Sequence, residues 1–266
     1  MSVYNGEPWV AEAVESVLAQ TFADFEFVVV NDGSTDRTGA VLDRWGDPRL
    51  KVVHQSRVGL TSSLNRALHL ATAPLVARMD ADDVALPERF ARQLAYLDVH
   101  PDVGLLGTGW HEISPSGEIL RTVVPPVSDD AIRRALIRSN PFIHTSVTMR
   151  REVILAAGCY DESFAVAQDY DLWFRMSQIT RMANLPEPLV LRRITPGRVS
   201  TARDTSRLRA EVAVKLRALR SGAYPFWCSV FLVKPLCALV FPVVLRQALR
   251  RALFRERSNR ARVKSA

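Results

Sequence analysis

Cysteine and histidine are scarce and scattered in this sequence. The three cysteines, Cys159, Cys228 and Cys237, form no C-x-x-C pair, and an odd number argues against a disulfide framework. The five histidines show none of the spacings that zinc sites require. A reducing compartment is therefore expected, and neither a disulfide-stapled nor a zinc-stabilised protein is indicated.

Targeting and repeat signals are missing as well. The first residues, MSVYNGEPWV, have neither a basic segment nor an apolar run, so no secretory signal is predicted. No internal repeat or low-complexity segment is visible. The chain has 266 residues, of which 48% are hydrophobic and 24% charged. This is enough to bury the core of one large α/β domain or two small ones.

Positive charge is concentrated at the C-terminal end. Residues 207–266 carry 14 Lys and Arg against 2 Asp and Glu, whereas residues 1–206 carry 21 against 26. A basic tail on a mildly acidic body indicates a partner of opposite charge, either nucleic acid or an anionic membrane surface. The tail lacks interleaved aromatic residues and no nucleic-acid-binding motif is present, so no nucleic-acid partner is expected.

Short apolar runs alternate with helical periodicity in the first half of the chain. Strands are predicted for FEFVVV (25–30), LKVVH (50–54), PLVARM (74–79) and VGLLGTG (103–109). This alternation predicts βαβ units around a mostly parallel sheet flanked by helices. Ligands bind such sheets at the carboxyl ends of the strands, which is where the segments NDGSTD and DADD fall.

The middle of the chain is less regular. We predict a hairpin over 110–124, a short helix over 129–138, a strand over 143–149 and a loop leading into a helix over 159–176. His144, inside the predicted strand, either lines a binding site or is an ordinary structural histidine. The second interpretation is favoured for a lone histidine.

Three groups of carboxylates can carry chemistry. Asp80, Asp82 and Asp83 follow an apolar run, and such carboxylates suit Mg²⁺ or Mn²⁺, although helix capping explains them equally well. Asp32 ends another apolar run; it can accept from a nucleotide base or ribose, or simply belong to a turn. Asp169 opens an apolar helix and is a candidate general base, again with capping as the alternative.

Taken together, these groups resemble a known family. The blocks are YNGEPWVAEAVESVLAQTFADFEFVVVNDGSTDRT (4–38), GLTSSLNRAL (59–68), MDADDVALPERFARQ (79–93), CYDESF (159–164) and QDYDLWFR (168–175). In this order and spacing they resemble glycosyltransferase family 2, over about residues 3–200. The resemblance implies a GT-A fold that binds a nucleotide-diphosphate sugar and transfers the sugar with inversion.

The resemblance also implies roles for individual residues. Asp169 would be the catalytic base, and Asp82 would bind a Mg²⁺ or Mn²⁺ that bridges the diphosphate. The donor-binding candidates are Tyr4, Asn5, Glu7, Asp32, Gly59, Arg78 and Asp80. Two of these have a plain alternative, since Arg78 can point outward from its strand and Glu7 can be a first-turn helix charge.

The chain departs from the family pattern at three places. Members usually have a buried apolar strand before YNG, but only Met1 to Val3 stand there, so the first strand is expected to be truncated. A late start of the sequence is favoured over a substitute strand or an impaired chain. Gln168 replaces the usual Glu before the base. Thr195 stands where many members carry a His, which puts a late ligand of the metal or diphosphate in doubt.

The C-terminal residues read as a separate part. Residues 1–205 are predicted to form the catalytic domain and residues 206–266 a basic and apolar helical tail. The segment 225–245 is strongly apolar but contains Lys234 and two prolines, and basic residues flank both its ends. A segment lying on an anionic membrane surface is favoured, with a single membrane span or a packed helix as alternatives.

The resulting hypothesis is an inverting, metal-dependent glycosyltransferase in the cytoplasm, peripheral at the inner membrane face. It would move a sugar from a UDP- or dTDP-sugar to a hydroxyl of a lipid-linked or polysaccharide acceptor. One alternative is a catalytically silent protein that binds nucleotide sugars or acts as a scaffold. A less favoured alternative is a metal-dependent nucleotidyltransferase, which would release pyrophosphate.

Overall fold

The computed structural model describes residues 1–195 and 204–240. The chain divides into two compact units, Met1–Arg198 and Val199–Ala266. The N-terminal unit carries all the residues proposed above for catalysis and donor binding. The C-terminal unit carries the basic and apolar helices.

Three parallel strands form the first sheet of the N-terminal unit. They are β1 (Ser2–Val3), β2 (Phe27–Asp32) and β3 (Leu50–Gln55), in the order β1-β2-β3. Helices α1 (Val10–Leu18) and α2 (Thr38–Leu42) connect them. All six residues of β2 are buried, as expected for a central parallel strand rich in Val. The predicted parallel βαβ units are present here.

The second sheet is mixed. Its strands are β4 (Leu75–Ala77), β5 (Val84–Ala85), β6 (Val103–Ile113), β7 (Ile119–Val123), β8 (Thr148–Arg150) and β9 (Arg181–Arg193). They run in the order β4-β8-β6-β9-β5, with β7 paired to β6. The β6–β9 pair is parallel, whereas β4–β8, β6–β8, β5–β9 and β6–β7 are antiparallel. The sheet is therefore less parallel than predicted, because short strands run back along β4, β6 and β9.

Five further helices cover these sheets. They are α3 (Leu60–Leu70), α4 (Arg89–Val99), α5 (Asp129–Leu136), α6 (Arg151–Ala156) and α7 (Gln168–Met176). The predicted helix after 129, the hairpin over 110–124 and the helix that ends at 176 are confirmed. The strand predicted over 143–149 is wrong in its first half, which is a 3-10 turn at His144–Ser146.

The N-terminal segment is built into the first sheet. Ser2 and Val3 pair with Val30 and Asn31, and the Met1 amine donates to the Val28 carbonyl at 2.8 Å. A parallel bridge between Ser2 and Asp80 then joins the first sheet to the second. The two residues of β1 thus place the Tyr4 loop beside the loop that carries the D-x-D sequence.

The hydrophobic core below this junction is shared by α1 and both sheets. It contains Val10, Ala13, Val14 and Val17 of α1 together with Phe27, Val29, Met79 and Phe90. The α1 residues recur with helical spacing, so one face of the helix is buried in this core. The core ends at the strand termini, where the polar residues begin.

The C-terminal unit contains α8 (Asp204–Arg220), a 3-10 turn (Phe226–Ser229) and α9 (Val230–Val240). Val214, Ala218, Cys228 and Leu232 are buried between them. The predicted basic helix is confirmed, and the last five residues of the apolar segment 225–245 lie outside the described residues. Within the described ranges, no helix is both long and apolar enough to cross a membrane.

Candidate active site

The D-x-D loop begins with an arginine that points inward. Arg78 follows β4, is only 4% exposed, and donates from Nη2 to Asp80 Oδ1 at 2.5 Å. Within the described part of the chain, its Nε and Nη1 are buried without a hydrogen-bond partner. The alternative of an outward strand arginine is therefore wrong. Arg78 instead holds the carboxylate of Asp80 at the carboxyl end of β4.

A second buried arginine braces the same loop. Arg89 donates from Nη2 to the carbonyls of Arg78 at 2.8 Å and of Val147 at 3.3 Å, and from Nε to Gln93 Oε1 at 3.1 Å. Burial, and then the charge of Arg78, lower the pKa of Arg89 to about 9, so it stays protonated at neutral pH. The loop and the turn before β8 are thus fastened to α4 by one guanidinium.

The D-x-D loop is also held by Arg193, the last residue of β9. Arg193 donates from its backbone N–H to Asp83 Oδ1 at 2.8 Å and from Nε to the Asp82 carbonyl at 3.1 Å. Asp83 is 1% exposed, and α4 begins at Arg89 after Glu88. Helix α4 has no side-chain cap, so the capping alternative is wrong for Asp83, whose carboxylate accepts from the Arg193 N–H instead.

The Arg193 side chain also reaches the start of α1 and the hairpin at Pro115. Its Nη2 donates to Glu12 Oε2 at 2.6 Å, its Nη1 donates to the Pro115 carbonyl at 3.0 Å, and its guanidinium lies 4.3 Å from the centre of the Trp9 ring. Sequence reasoning missed this residue, because an isolated arginine after apolar residues carries no local signal. Thr195 lies two residues further on, and residues 196–200 of the same segment lie outside the described residues.

Asp32, at the end of β2, organises the loop before α3. Its carboxylate accepts from the N–H groups of Val58 at 2.8 Å and Gly59 at 2.9 Å, and from Gln55 Nε2 at 2.8 Å. Burial raises the pKa of Asp32, but these hydrogen bonds outweigh it, so the pKa lies below its usual value. Gly59 has a φ of 101°, which favours glycine, and it precedes the first residue of α3.

Tyr4 lies on the same edge and stacks on Arg57. The Arg57 guanidinium is 3.6 Å from the centre of the Tyr4 ring, and Tyr4 is 37% exposed. Gly33 lets these loops approach, since a Cβ there would lie 2.6 Å from the Arg57 nitrogen. An exposed aromatic face next to a buried carboxylate is suited to stacking and hydrogen bonding of a nucleotide base.

Asn5 and Glu7 connect the first loop to the one after β2. Asn5 accepts from the Thr35 N–H at 2.8 Å, and the Glu7 carboxylate accepts from Arg37 Nε at 2.7 Å. Hydrogen bonds from the Arg37 side chain hold the pKa of Glu7 below its usual value. Because α1 begins only at Val10, the alternative that Glu7 is a first-turn helix charge is wrong.

Asp169 stands in the first turn of α7 with a raised pKa. Burial is the largest cause of the rise and Asp80 adds to it, while hydrogen bonds from the Tyr170 N–H and Asn140 oppose it. Asn140 Nδ2 donates to Asp169 Oδ2 at 2.9 Å. Asp169 is not the N-cap residue of α7, which is Ala167 with a φ of 62°, although its carboxylate accepts from the Tyr170 N–H in the first turn. A carboxylate that has a raised pKa and belongs to a cluster of polar side chains is suited to act as a general base.

His144 and Tyr160 lie with Asp169. His144 Nε2 and the Tyr160 hydroxyl are 2.8 Å apart, and the His144 ring lies 6.0 Å from the ring of Trp173, which is fully buried. Burial, and then Arg78, lower the pKa of His144 well below its usual value, so the ring is neutral at physiological pH. The contact with Tyr160 agrees with the interpretation of His144 as a satisfied structural histidine, and its place in a binding site stays a prediction.

Apart from Asp82, the expected site residues therefore fall into two adjoining groups, one of which also contains Tyr160. Arg78 and Asp80 act electrostatically on Tyr160 and His144, and Asp80 also acts on Asp169, so these five form one group. The second group lies at the ends of β1 and β2 and comprises Tyr4, Asn5, Glu7, Asp32 and Gly59. The bridge between Ser2 and Asp80 joins the two groups. Gln168 is buried beside Asp169, and Asp171 pairs with Arg175 and is not available as a base.

The residues at the D-x-D loop fit a divalent cation that is shared with a ligand. Among the described residues, no group of three or more His, Cys, Asp or Glu side chains could hold a metal alone. Mg²⁺ usually takes one or two protein carboxylates and completes its shell with water and phosphate oxygens, and Mn²⁺ prefers the same oxygen ligands. Asp82 is half-buried, and Arg193 holds its backbone carbonyl, so this loop carries one carboxylate of the kind that such a cation takes.

Comparison with known proteins agrees with this geometry. The model described as "Glycosyl transferase family 2" matches residues 1–157. The amylovoran biosynthesis glycosyltransferase AmsE of Erwinia amylovora is 33% identical over 258 residues, covering 94% of this chain and 96% of AmsE. S. aureus TarS 1-349 in complex with UDP-GlcNAc has a TM-score of 0.69 at 20% identity, covering 88% of this chain and 70% of that one. The mannosyltransferase PcManGT from Pyrobaculum calidifontis in complex with GDP-Man and Mn²⁺ has a TM-score of 0.64 at 22% identity, covering 95% and 78%.

The mixed sheet and its flanking helices define a GT-A-like fold, which the two solved structures share. The family model covers more than half of the chain, and AmsE aligns along nearly all of it. The chain therefore belongs to glycosyltransferase family 2, and the resemblance seen in the sequence is confirmed.

Proposed function

We propose that this glycosyltransferase transfers a sugar from a nucleotide-diphosphate sugar to a hydroxyl of a lipid-linked or polysaccharide acceptor, with inversion at the anomeric carbon. The observation that carries the proposal is Asp169, a carboxylate with a raised pKa that lies within electrostatic reach of Asp80 on the D-x-D loop. The relative AmsE is named for the biosynthesis of amylovoran. The two neighbouring structures contain UDP-GlcNAc and GDP-Man, which supports the same class of donor.

Donor binding would use the edge formed by β1, β2 and the D-x-D loop. Tyr4 offers an aromatic face for the base, and Asp32 with Gly59 shapes the loop against which the base would lie. Asn5 and Glu7 hold the neighbouring loop through Thr35 and Arg37. The proposed donor is a UDP- or dTDP-sugar.

Asp82 would hold the divalent cation, Mg²⁺ or Mn²⁺, and Arg78 would hold Asp80 toward the donor. When bound, such a cation neutralises the negative charge that grows on the departing diphosphate. Arg78 is too buried to clamp phosphates as a surface arginine would, so its proposed role is to orient Asp80. Asp80 would then receive a ribose hydroxyl or a metal-bound water.

Asp169 would act as the general base. Its carboxylate removes the proton of the acceptor hydroxyl while that oxygen forms a bond to the anomeric carbon. The bond from that carbon to the diphosphate oxygen breaks on the opposite face, and the nucleoside diphosphate leaves. The raised pKa of Asp169 makes the carboxylate a stronger base than an exposed aspartate. Asn140 would keep it oriented through the bond to Oδ2.

The proposed place of action is the cytoplasm, peripheral at the inner face of a membrane. The support is the charge of residues 207–266, which carry 14 Lys and Arg against 2 Asp and Glu. Such a surface is attracted to anionic lipid. A lipid-linked acceptor would be presented at the same membrane.

The decisive experiment is a thermal-unfolding screen of nucleotide sugars with and without Mn²⁺, followed by product analysis. A true donor should raise the melting temperature, since it binds only the folded protein, and should yield nucleoside diphosphate with an acceptor. Asp82→Ala should remove the Mn²⁺-dependent part of the shift, while Asp98→Ala, an exposed aspartate on α4, should not. Binding without turnover would favour a silent binder, and pyrophosphate release would favour a nucleotidyltransferase.

A further inference from the structure

The C-terminal unit exposes a continuous apolar face. Its large side chains and their exposed fractions are Phe226 89%, Trp227 66%, Val230 57%, Val233 54% and Leu236 45%. Val230 and Val233 are about one turn apart on α9, so they lie on one side of it, and Phe226 and Trp227 belong to the 3-10 turn that leads into α9. We call the five residues the apolar stripe.

The other side of the same segment is already packed. Cys228, Leu232 and Pro235 are buried there, and Lys215 of α8 donates to the Phe231 carbonyl at 3.4 Å. One face of α9 is therefore used by α8, while the stripe faces away from it. Scattered exposed apolar residues need no explanation, but five large ones within residues 226–236, including Phe and Trp, indicate an interaction surface.

Exposed basic side chains occur on α8 and within α9. Arg209, Arg217 and Arg220 are exposed on α8, and Lys234 is exposed between Val233 and Pro235. The one acidic residue of α8 with a described side chain, Glu211, is taken by Lys215 at 2.7 Å. Residues 241–266 add eight Lys and Arg against one Glu. The occupant that this charge complements is negative as well as apolar.

We propose that the apolar stripe docks into the headgroup boundary of an anionic lipid bilayer, with α8 and α9 lying along the surface. This deepens the proposed function, since it names the membrane-contacting residues of the enzyme. Trp and Phe favour that boundary, and Lys234 can extend its stem beside the stripe with its amine in water. Immersion of the helix pair is opposed by the exposed arginines of α8, because charges in hydrocarbon are costly.

The test is co-sedimentation of the full chain with phosphatidylcholine vesicles, with and without phosphatidylglycerol. The wild-type protein should bind the anionic vesicles, and Phe226→Ser/Trp227→Ser should lower the partition coefficient about tenfold or more. Val230→Ser/Val233→Ser should lower it as well. Val99→Ser/Ile179→Ser is the matched control, since it alters apolar residues of the N-terminal unit that are 69% and 52% exposed. The control should bind like the wild type.

Three results would overturn the proposal. The first is unchanged vesicle binding by both stripe variants. The second is a wild-type dimer in analytical ultracentrifugation that the stripe variants abolish while no vesicle binding is seen, which would assign the stripe to a second copy. The third is a fall in melting temperature of the stripe variants without vesicle binding by the wild type, which would mean that residues 241–266 cover the stripe. No nucleotide sugar is needed, so failure of the proposed reaction would leave this test intact.

Discussion

The guanidinium Nε of Arg193 donates to the backbone carbonyl of Asp82 at 3.1 Å. The last residue of β9 thereby fixes the position of the residue proposed to bind metal. The Arg193 side chain is 2% exposed, so this contact is shielded from water. Residues far apart in the sequence, near 12, 82, 115 and 193, meet at this one side chain.

Arg193→Gln should weaken the metal site more than the fold. We expect the free energy of unfolding to fall by about 1–3 kcal/mol, because buried acceptors lose their donor. The affinity for Mn²⁺ in the presence of UDP should fall about tenfold, as happens when residues behind a metal ligand are removed. Electron paramagnetic resonance of Mn²⁺ measures this affinity.

The matched control for that variant is Arg181→Gln. Arg181 lies on the same strand and pairs with Asp102, but its side chain is 64% exposed. Its free energy of unfolding should change by less than about 0.5 kcal/mol, and Mn²⁺ affinity should not change. Equal losses of Mn²⁺ affinity in both variants would contradict the role assigned to Arg193. An Arg193→Gln variant whose affinity for UDP fell by the same factor with and without metal would contradict it as well.

Asp169→Asn should abolish transfer while UDP binding persists. Loss of a general base reduces the rate by about 100- to 10,000-fold. The raised pKa means that folding favours the neutral form of Asp169, so the wild type loses stability as pH rises through that pKa. The Asn variant should therefore be as stable as the wild type at neutral pH, or more stable. Lost UDP binding would show that the residue serves the donor instead.

Asn140→Ala should move the acidic limb of the kcat/KM profile to higher pH. Asn140 donates to the Asp169 carboxylate and so helps to lower the Asp169 pKa, against the larger effect of burial. Without this donor the base is protonated over a wider pH range, and activity is lost at higher pH than in the wild type. The rate at alkaline pH should be less affected. A limb that stays in place, or moves to lower pH, would mean that Asn140 has only a structural role.

Asp32→Asn should destabilise the protein in a pH-dependent manner. An amide cannot accept all the hydrogen bonds that Asp32 takes from Val58, Gly59 and Gln55, so at neutral pH we expect a loss of about 1–3 kcal/mol. Because the folded-state pKa of Asp32 is lowered, its contribution is complete above the usual aspartate pKa of about 3.9 and is lost as pH falls through the folded value. Urea unfolding curves of the two proteins should therefore converge in acid. A difference in the free energy of unfolding that stays constant with pH would refute the role of the ionised Asp32 carboxylate in holding this loop.

Local sequence patterns predicted the elements whose reasons are local. The Val-rich run of β2 and the spacing of Val10, Val14 and Val17 produce the strand and helix that they indicate. Strand β9 was missed because Pro186 and Pro188 interrupt it. The sheet accepts them because the pairing of β6 with β9 shifts register at Gly109, where a Cβ would lie 2.6 Å from the Pro186 carbonyl. The prolines of β9 are thus tolerated because of the partner strand β6, which the local sequence of β9 does not reveal.

The site shows the same division. The placing of Asp80, Asp82 and Asp169 at strand and helix ends followed from the sequence, since each comes directly before or after an apolar run. The inward direction of Arg78 could not be predicted in this way. It depends on Asp80, which pairs with the guanidinium, and on Arg89, which donates to the Arg78 backbone carbonyl. Asn140 and Arg193 were missed for a related reason. Each acts on a residue at least 29 positions away, which no periodicity reveals.

The brace made by Arg89 has a mechanical consequence. One guanidinium donates to the carbonyl of Arg78, before the D-x-D loop, and to the carbonyl of Val147, three residues after His144. Displacement of either backbone segment strains its hydrogen bond to Arg89 and so acts on the other segment. Under the proposed function, donor binding that moves the D-x-D loop would therefore also shift the turn at His144, although the donor never touches that turn.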